Sequence, residues 1–224
     1  MSELTMYINE KCLIDLVYNQ LNTFFPDGNA VLRDDIHSLM EKTLKRVFVC
    51  FSNIRRKYFY EDGNVLFNHL HSDQYAMFLY LLSNTAWQQE KNEHLAKKIF
   101  LLNKTLHGID AYFSIELPEC FLFIHPIGTI LGNATYGNFF CVYQNCSIGA
   151  LSTTGGYPKL GTGVVMYSRT SLLGPCVVGN DVVFGANSMI INKNIPDNSV
   201  VLGQHPNNRI QENHIKTTHR IFDL

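Results

Sequence analysis

An apolar or aromatic side chain recurs at every sixth position in the second half of this chain, and this repeat limits its fold more than any other feature. The repeat misses one position, Thr154, within the stretch 150–159, and then continues in the same phase. A six-residue period matches neither the 3.6-residue turn of an α-helix nor the two-residue alternation of a strand. The in-phase residues are Ile124, Ile130, Tyr136, Val142, Ile148, Leu160, Met166, Leu172, Val178, Phe184 and Ile190.

Hexapeptide repeats are typical of a parallel β-helix, in which each repeat forms one short face and three faces close a coil. The residue after the in-phase position is often glycine, as at Gly137 and Gly161, which suits a tight or left-handed corner. The fourth residue after it is mostly small or β-branched, as at Cys146 and Thr170, which suits a narrow interior. A β-sandwich is the alternative, but its strand spacing varies whereas this interval is constant. The sequence therefore predicts a solenoid with one extended loop at 150–159.

The first half of the chain has helical periodicity instead. Apolar residues recur at steps of three and four from Ile36 to Ile54 and from Tyr75 to Leu106, which predicts two amphipathic helices. A shorter helix is expected over 12–24, because a Phe-Pro-Asp-Gly turn signal follows it.

These two patterns divide the chain into three parts. At 224 residues it is long enough for one large domain or two modest ones, each with its own core. We predict an α+β fold in which an α-helical domain occupies 1–107 and a parallel β-helix occupies 108–210. The polar segment 211–224 is expected to be a C-terminal tail, either a short final helix or a loose end.

The charge balance argues against several classes of partner. The chain has 18 basic and 19 acidic residues, so it lacks the basic excess that favours nucleic acid or an anionic membrane surface. A small molecule or another protein is the expected partner. No stretch approaches the roughly 20 apolar residues of a membrane span, and residues 1–9 lack the layout of a signal peptide. We therefore expect a cytoplasmic protein without a membrane span.

The cysteines and histidines do not indicate a metal site. The six cysteines include no CxxC pair, and Cys146 and Cys176 fall on the small interior phase of the repeat, which predicts buried reduced thiols. His69, His71 and Asp73 superficially resemble ligands, but they stand where the helix from Tyr75 begins, and we predict no metal there.

His125 is the first candidate for chemistry, because it stands at a predicted corner from which a side chain projects outward. Asp110 lies fifteen residues earlier, close to one 18-residue coil, so we expect it on the neighbouring rung. A carboxylate there would hold the tautomer of the ring and stabilise its protonated form while His125 acts as a general base on a hydroxyl. The spacing by itself leaves open a structural histidine before Pro126 and an ordinary aspartate.

Several motifs resemble those of serine O-acetyltransferase, a hexapeptide-repeat acyltransferase with an N-terminal helical domain and a left-handed β-helix. The resemblance covers most of residues 75–210. In that family a histidine stands in a stretch ending G-x-x-x-G, and residues 123–132 reproduce the histidine as His125 and both glycines. The dyad aspartate of the family falls on Asp110. Further similar segments are 144–149, 184–188, 195–196 and 201–206.

The resemblance implies acetyl transfer from acetyl-CoA to a hydroxyl, with His125 as base and Asp110 as its partner. It also implies a homotrimer with CoA between adjacent β-helices, and in that family two trimers join into a hexamer. By position, the backbone at Ser168 and Ala186 would contact the pantetheine arm, and Lys193 and Arg209 would meet the phosphates. Ordinary solvated surface is an equally good interpretation of each of these four residues taken alone.

Two departures concern the acceptor. The family has a substrate-binding histidine before Pro-Lys in its extended loop, where this chain has Tyr157. It also has an aspartate beside the catalytic histidine that contacts the substrate amine, where this chain has Ile124. Losing a carboxylate that pairs with an ammonium removes the reason to prefer an amino acid. An upstream carboxylate of the family maps loosely near Asp62.

We therefore expect an O-acetyltransferase acting on a small-molecule or sugar hydroxyl, by family analogy in surface-polysaccharide biosynthesis. The enzymatic alternative is a serine O-acetyltransferase of cysteine biosynthesis. An alternative of another class is a non-catalytic trimeric scaffold. A β-helical carbonic anhydrase needs three zinc-binding histidines, and the six-residue repeat from Ile124 to Ile190 has only His125.

Overall fold

The first half of the chain folds mainly as α-helices. A computed structural model describes residues 4–151 and 155–222. The helices begin and end at local signals: the Asn9 side chain accepts a hydrogen bond from the Cys12 N–H at the start of the first, and the last ends at Gly108, whose φ is +66°. Their bounds are α1 (Glu10–Phe24), α2 (Arg33–Ser52), α3 (Ser72–Glu90) and α4 (Glu93–His107).

The second long helix of the prediction is two helices in the structure. The helical conformation is interrupted between α3 and α4, where Lys91 takes a left-handed conformation with φ +51°. The Asn92 side chain then accepts a hydrogen bond from the Leu95 N–H and caps α4. Apolar periodicity continues across this break because both helices bury a face in the same core, so periodicity alone did not reveal it.

Helix α3 is the centre of this part and packs against both α2 and α4. The Arg46 side chain on α2 donates hydrogen bonds to the side chains of Asn84 and Thr85 on α3. The buried Tyr80 hydroxyl donates to the Ile115 carbonyl at 2.6 Å and accepts from the Leu117 N–H at 2.9 Å. These bonds fix α3 to the segment that leads into the second half of the chain.

A small sheet that the sequence did not predict lies beside the helices. Its strands are β1 (Leu4–Met6), β2 (Tyr60–Glu61) and β3 (Asn64–Phe67), in the order β1-β3-β2. The turn between β2 and β3 consists of Asp62 and Gly63, both with positive φ, which is the conformation that two-residue hairpins favour.

The second half is built from short strands in three sheets. One sheet has the order β16-β15-β13-β10-β7-β5, another β14-β11-β8-β6-β4, and the third pairs β12 with β9; all pairs are parallel except β15 with β16. The strands are β4 (Asp110–Ala111), β5 (Phe121–Phe123), β6 (Ile130–Leu131), β7 (Phe140–Val142), β8 (Ser147–Gly149), β9 (Lys159–Leu160), β10 (Val165–Met166), β11 (Ser171–Leu173), β12 (Val177–Val178), β13 (Val183–Phe184), β14 (Met189–Ile191), β15 (Ser199–Leu202) and β16 (Arg209–Glu212).

The pairing follows the six-residue repeat. Met166 pairs with Phe184 and Leu172 with Ile190, each eighteen residues further on, which is three repeats. We call each such set of three strands a coil. The in-phase residues from Tyr136 onward are buried, as are the small residues of the second phase from Cys146 onward. Cys146 and Cys176 are among them as free buried thiols, as predicted.

The first coil departs from the predicted phase. Ile130 is 50% exposed, whereas Leu131 is buried and pairs with Ile148. Likewise Phe123, and not Ile124, pairs with Val142. Eight positions separate Phe123 from Leu131, against six between their partners Val142 and Ile148, so the intervening turn, which contains His125, holds two extra residues.

The corner glycines also act differently from the prediction. Gly137 and Gly161 do not have positive φ, and a Cβ on Gly137 would lie 2.2 Å from the Gly161 carbonyl oxygen of the next coil. Glycine is therefore required there for close approach of neighbouring coils. Left-handed corners are formed instead by Asn145, Arg169 and Asn187.

The extended loop and the tail complete the fold. The loop separates β8 from β9, and Thr154, where the repeat is interrupted, lies outside the described residues. Through residue 222 the tail is not a loose end: Phe222 is fully buried, bridges to Ile54 and packs against the Phe139 ring at 5.4 Å. In residues 4–151 and 155–222 no helix combines the length and apolar character needed to span a bilayer.

Candidate functional site

His125 lies just after β5, where the chain turns out of its sheet. Its backbone N–H donates a hydrogen bond to Oδ1 of Asp73 at 3.0 Å, and its carbonyl accepts from the Ile127 N–H at 2.8 Å. The side chain is 75% exposed, and its Nδ1 lies 3.9 Å from the same Asp73 oxygen. The backbone of His125 is therefore fixed while its imidazole reaches solvent.

Sequence reasoning weighed Asp73 only as a metal ligand, rejected it in that role and did not connect it with His125. It lies in the first turn of α3 and is 1% exposed. Burial raises the pKa of its carboxyl group, while the hydrogen bond from His125 and the charges of His125 and His71 act in the opposite direction. Its contact with His125 spans 52 positions, so no local pattern could have indicated it.

Asp110, the predicted partner of His125, is held elsewhere. It lies in β4, pairs with Ile130, and accepts a hydrogen bond from the Lys104 ammonium at 2.6 Å. Among the described residues no hydrogen bond or ion pair joins Asp110 to His125. Asp110 belongs to the sheet of β6, whereas His125 follows β5 in a different sheet.

The three candidates for acceptor binding are separated in the single chain. Ile124 is 6% exposed, and its N–H donates to the Val142 carbonyl. Asp62 is exposed in the hairpin turn. Tyr157 is 48% exposed and lines a cleft of about 450 Å³ that includes Thr135 but not His125. Within one chain the cleft lined by Tyr157 does not include His125, and Asp62 lies in a separate hairpin, whereas Ile124 is the sequence neighbour of His125.

Backbone geometry distinguishes the column of residues that continues from His125 along the stacked coils. The strand residues Phe123, Val142, Met166 and Phe184 pair in series on successive coils. The residues two positions after them form the column, which is His125, Gln144, Ser168 and Ala186. Within the described chain the backbone N–H groups of these last three residues donate no hydrogen bond, whereas those of their neighbours do. Because neighbouring strands lie about 4.8 Å apart, the column is about 14 Å long.

The predicted phosphate contacts lie apart from one another. Arg209 is exposed on β16 opposite Leu202, near the far end of this column. Lys193 follows β14 and therefore lies at a different corner of the coil. The structure supports Arg209 better than Lys193 as a residue that could meet a ligand lying along the column.

Several buried polar side-chain atoms lack a hydrogen-bond partner among the described residues. Arg56 Nε, His71 Nδ1 and Gln144 Oε1 are buried, and none has a hydrogen-bond partner among the described residues. The His71 ring stacks on Tyr58 at 4.7 Å. In the described ranges no group of three or more histidine, cysteine or carboxylate side chains is arranged to hold a metal ion.

This chain is similar in sequence to several known proteins. No protein-family model matches the chain. The serine acetyltransferase of Mycobacterium tuberculosis is 26% identical over 132 residues, which are 58% of this chain and 57% of the relative. That of Helicobacter pylori is 25% identical over 132 residues, 58% of this chain and 76% of the relative. The chain thus spans a little over half the length of the mycobacterial protein.

Solved structures agree at the level of the fold. The serine acetyltransferase of Neisseria gonorrhoeae superposes with a TM-score of 0.70 at 18% identity, covering 91% of this chain and 80% of that one. A serine acetyltransferase in complex with CoA gives a TM-score of 0.67 at 20% identity, covering 89% and 83%.

Helices followed by stacked hexapeptide coils are the fold that this chain shares with these serine acetyltransferase structures. The chain is similar to serine acetyltransferases in sequence as well, and the resemblance first seen around His125 is confirmed.

Proposed function

We propose that this chain is an acetyl-CoA-dependent O-acetyltransferase in which His125 is the general base and serine is the acceptor. The observation that carries the proposal is the exposed His125 imidazole, at the head of a column of backbone N–H groups without partners. The serine acetyltransferases that it resembles support the same activity. They favour serine over the sugar hydroxyl expected from the sequence, and nothing found supports a role in polysaccharide biosynthesis.

The proposed chemistry is a single transfer. His125 takes the proton of the acceptor hydroxyl, and the acceptor oxygen forms a bond to the thioester carbonyl carbon of acetyl-CoA. The carbon–sulfur bond breaks, and the protonated His125 returns the proton to the departing thiolate. The products are the O-acetylated acceptor and CoA. The resemblance assigns the carboxylate that assists His125 to Asp110.

The residues of the column fit an extended ligand with amide groups. Ser168 and Ala186 offer backbone N–H donors at the spacing of the coils, and Gln144, which was not among the predicted contacts, offers another. In our proposal these donors meet the carbonyl groups of the pantetheine arm. Arg209 is the nearer candidate for the phosphates, with Lys193 as the second.

The resemblance to serine acetyltransferases also leads to proposals about the fold and the assembly of the chain. We propose a left-handed winding of the coils, an α-helical domain at 1–107, a catalytic β-helix at 108–210 and a tail at 211–224. We also propose a homotrimer with CoA between the β-helices of adjacent subunits, in which Tyr157 of one subunit approaches His125 of another. Light scattering after size-exclusion chromatography will distinguish a trimer from a hexamer or a monomer.

The acceptor is tested directly by following release of the CoA thiol from acetyl-CoA in the presence of L-serine or of a panel of sugars. We expect turnover with serine. Turnover with sugars alone would instead support the sugar acceptor that the replacements at Ile124 and Tyr157 suggest. Absence of both turnover and CoA binding would support the non-catalytic scaffold.

The base is tested by His125→Ala, which we expect to lower kcat about 10²- to 10⁴-fold, the usual contribution of a general base. His37→Ala is the matched control, because His37 is an exposed histidine on α2. A His125→Ala variant that retains the kcat of the control would refute the proposal.

A further inference from the structure

We propose that Asp73, and not Asp110, is the carboxylate that positions His125 and stabilises its protonated ring. The inference rests on the proposed function, since it assumes that His125 accepts a proton. It also means that the helical half of the chain contributes a functional group to a site located on the coils.

The geometry around one oxygen atom favours Asp73. Its Oδ1 accepts the backbone N–H of His125 at 3.0 Å and lies 3.9 Å from Nδ1 of the same residue. A small rotation of the imidazole therefore brings Nδ1 within hydrogen-bond distance of a carboxylate that is already anchored. If Nδ1 donates to Asp73, Nε2 is the basic nitrogen and faces solvent, where an acceptor hydroxyl would lie.

Burial distinguishes the two carboxylates further. The Asp73 side chain is 2% exposed, whereas that of Asp110 is 33% exposed and ion-paired with Lys104. Interactions between charges are stronger in the protein interior than at the solvated surface. The charge of Asp110 is offset by its ammonium partner, so Asp73 is the carboxylate able to act on His125.

The groups that face Asp73 come from four directions. His71 and Ser72 precede it at the start of α3, Tyr58 lies in the preceding loop, Cys141 lies on β7, and His125 follows β5. His71 and His125 are the members of this set that gain positive charge on protonation. The N-terminus of α3 also favours negative charge at Asp73, which opposes the effect of burial.

The position of Ile124 fits the same arrangement. An apolar residue stands beside the base, buried and bonded through its backbone to Val142, and it offers no carboxylate. The nearest acidic side chain to the ring is therefore supplied by α3 from a distant part of the sequence.

The experiment compares three substitutions in the full chain. Asp73→Asn keeps an oxygen that can accept the His125 N–H but removes the charge, so it isolates the electrostatic contribution. Asp110→Asn removes the charge of the rival carboxylate. Asp34→Asn is the matched control, because Asp34 is an exposed carboxylate in the first turn of α2. Release of CoA thiol is measured from about pH 5 to pH 9 with acetyl-CoA and L-serine.

We expect Asp73→Asn to lower kcat about 10- to 100-fold with an unchanged KM for acetyl-CoA, a loss typical of groups that act through another residue. The acidic limb of its kcat profile should move to lower pH, because loss of a neighbouring negative charge destabilises the protonated imidazole. A merely structural role would not move this limb. Asp34→Asn should stay within about threefold of the parent chain, and Asp110→Asn should leave the acidic limb in place.

Two outcomes overturn the inference while leaving the proposed function intact. One is a large loss of kcat in Asp110→Asn with Asp73→Asn unaffected, and the other is no effect of either substitution when His125→Ala is inactive. Full activity of His125→Ala would instead refute the proposed function itself.

A second measurement keeps the inference testable if Asp73→Asn does not fold. Nuclear magnetic resonance follows the titration of the His125 ring in the parent chain and in Asp110→Asn, whose substituted side chain is partly exposed. An unchanged midpoint in Asp110→Asn supports Asp73 as the partner. A shift of the midpoint to lower pH would assign the partnership to Asp110 and overturn the inference.

Discussion

The helical half and the coiled half of this chain stabilise themselves in different ways. In the coils a buried residue such as Met166 contacts equivalent residues one coil before and one coil after, here Val142 and Phe184. In the helices a buried residue such as Tyr80 contacts unrelated partners, including the carbonyl of Ile115 and the ring of Phe121.

Their buried polar groups differ in the same way. Buried polar side chains of the stacked coils include the hydroxyl groups of Thr129, Thr170 and Ser188, which bond to backbone carbonyls of the coils. The helical half buries Asp73 and Lys98, which are ionisable. The coils therefore depend on repetition, whereas the helices depend on individual long-range contacts, and chemical function draws on the latter as well as the former.

The largest expected effect tests this difference in the core. Phe184→Ala and Phe78→Ala each remove a fully buried ring, and each should lower the free energy of unfolding by about 3–5 kcal/mol in a urea titration. Hydrogen exchange should separate them, because repeat units contact only their neighbours. Exchange should accelerate in the coils next to Phe184 in the first variant and throughout the helices in the second. Uniform acceleration across the molecule in both variants would contradict the comparison.

A smaller effect is expected where coils approach each other most closely. Gly137→Ala places a methyl group 2.2 Å from the Gly161 carbonyl oxygen, and a rigid backbone cannot yield as a side chain does. We expect a loss of about 1–3 kcal/mol in thermal or urea unfolding. Gly149→Ala is the control, because a Cβ there would meet no atom within 4 Å. Equal stability of the two variants would show that the coils can separate without cost.

The smallest expected effect concerns pH and belongs to the helical half. Burial lowers the pKa of His107 to about 4, and its Nδ1 lies 2.8 Å from the Asn103 side-chain oxygen. An unfolded histidine titrates near pH 6.5, so between about pH 6.5 and 4 the unfolded state binds more protons than the folded state. Above about pH 6.5 the His107 ring is neutral in both states, so its burial does not reduce the free energy of unfolding. As the pH falls through this window, the free energy of unfolding falls.

The expected loss is about 1–2 kcal/mol, because the ring is only partly buried. Urea titrations at about pH 7 and pH 5 measure it, and His107→Gln should reduce the difference between the two values. His37→Gln, at an exposed position, should leave the difference unchanged. An unchanged difference in His107→Gln would assign the pH dependence to other groups.

Much of the coil could be predicted because its information is local and repeated. From Tyr136 onward every in-phase apolar residue is buried as predicted, since each coil imposes the same constraint as the last. The first coil was wrong by one residue, because Ile130 and Leu131 are both apolar and only the turn at His125 decides which one is buried.

The candidate site was predictable only in part. His125 was singled out from its motif, and Ser168 and Ala186 were proposed from the resemblance; their alignment with His125 in one column is visible in the strand register. The contact from Asp73 depends on how α3 packs against the coils, and packing between distant segments leaves no periodic trace. The helix break at Lys91 was missed for a related reason, since both helices share one buried face.

The extended loop has a consequence for engineering. Val142 pairs with Met166 across 24 positions, six more than the usual interval, and the following pairs, Met166 with Phe184 and Leu172 with Ile190, return to eighteen. The stack thus tolerates one additional repeat as a protrusion without misplacing any strand that follows. Peptides or small reporter modules inserted between Gly149 and Lys159 should therefore be tolerated without displacing the strands of the other coils.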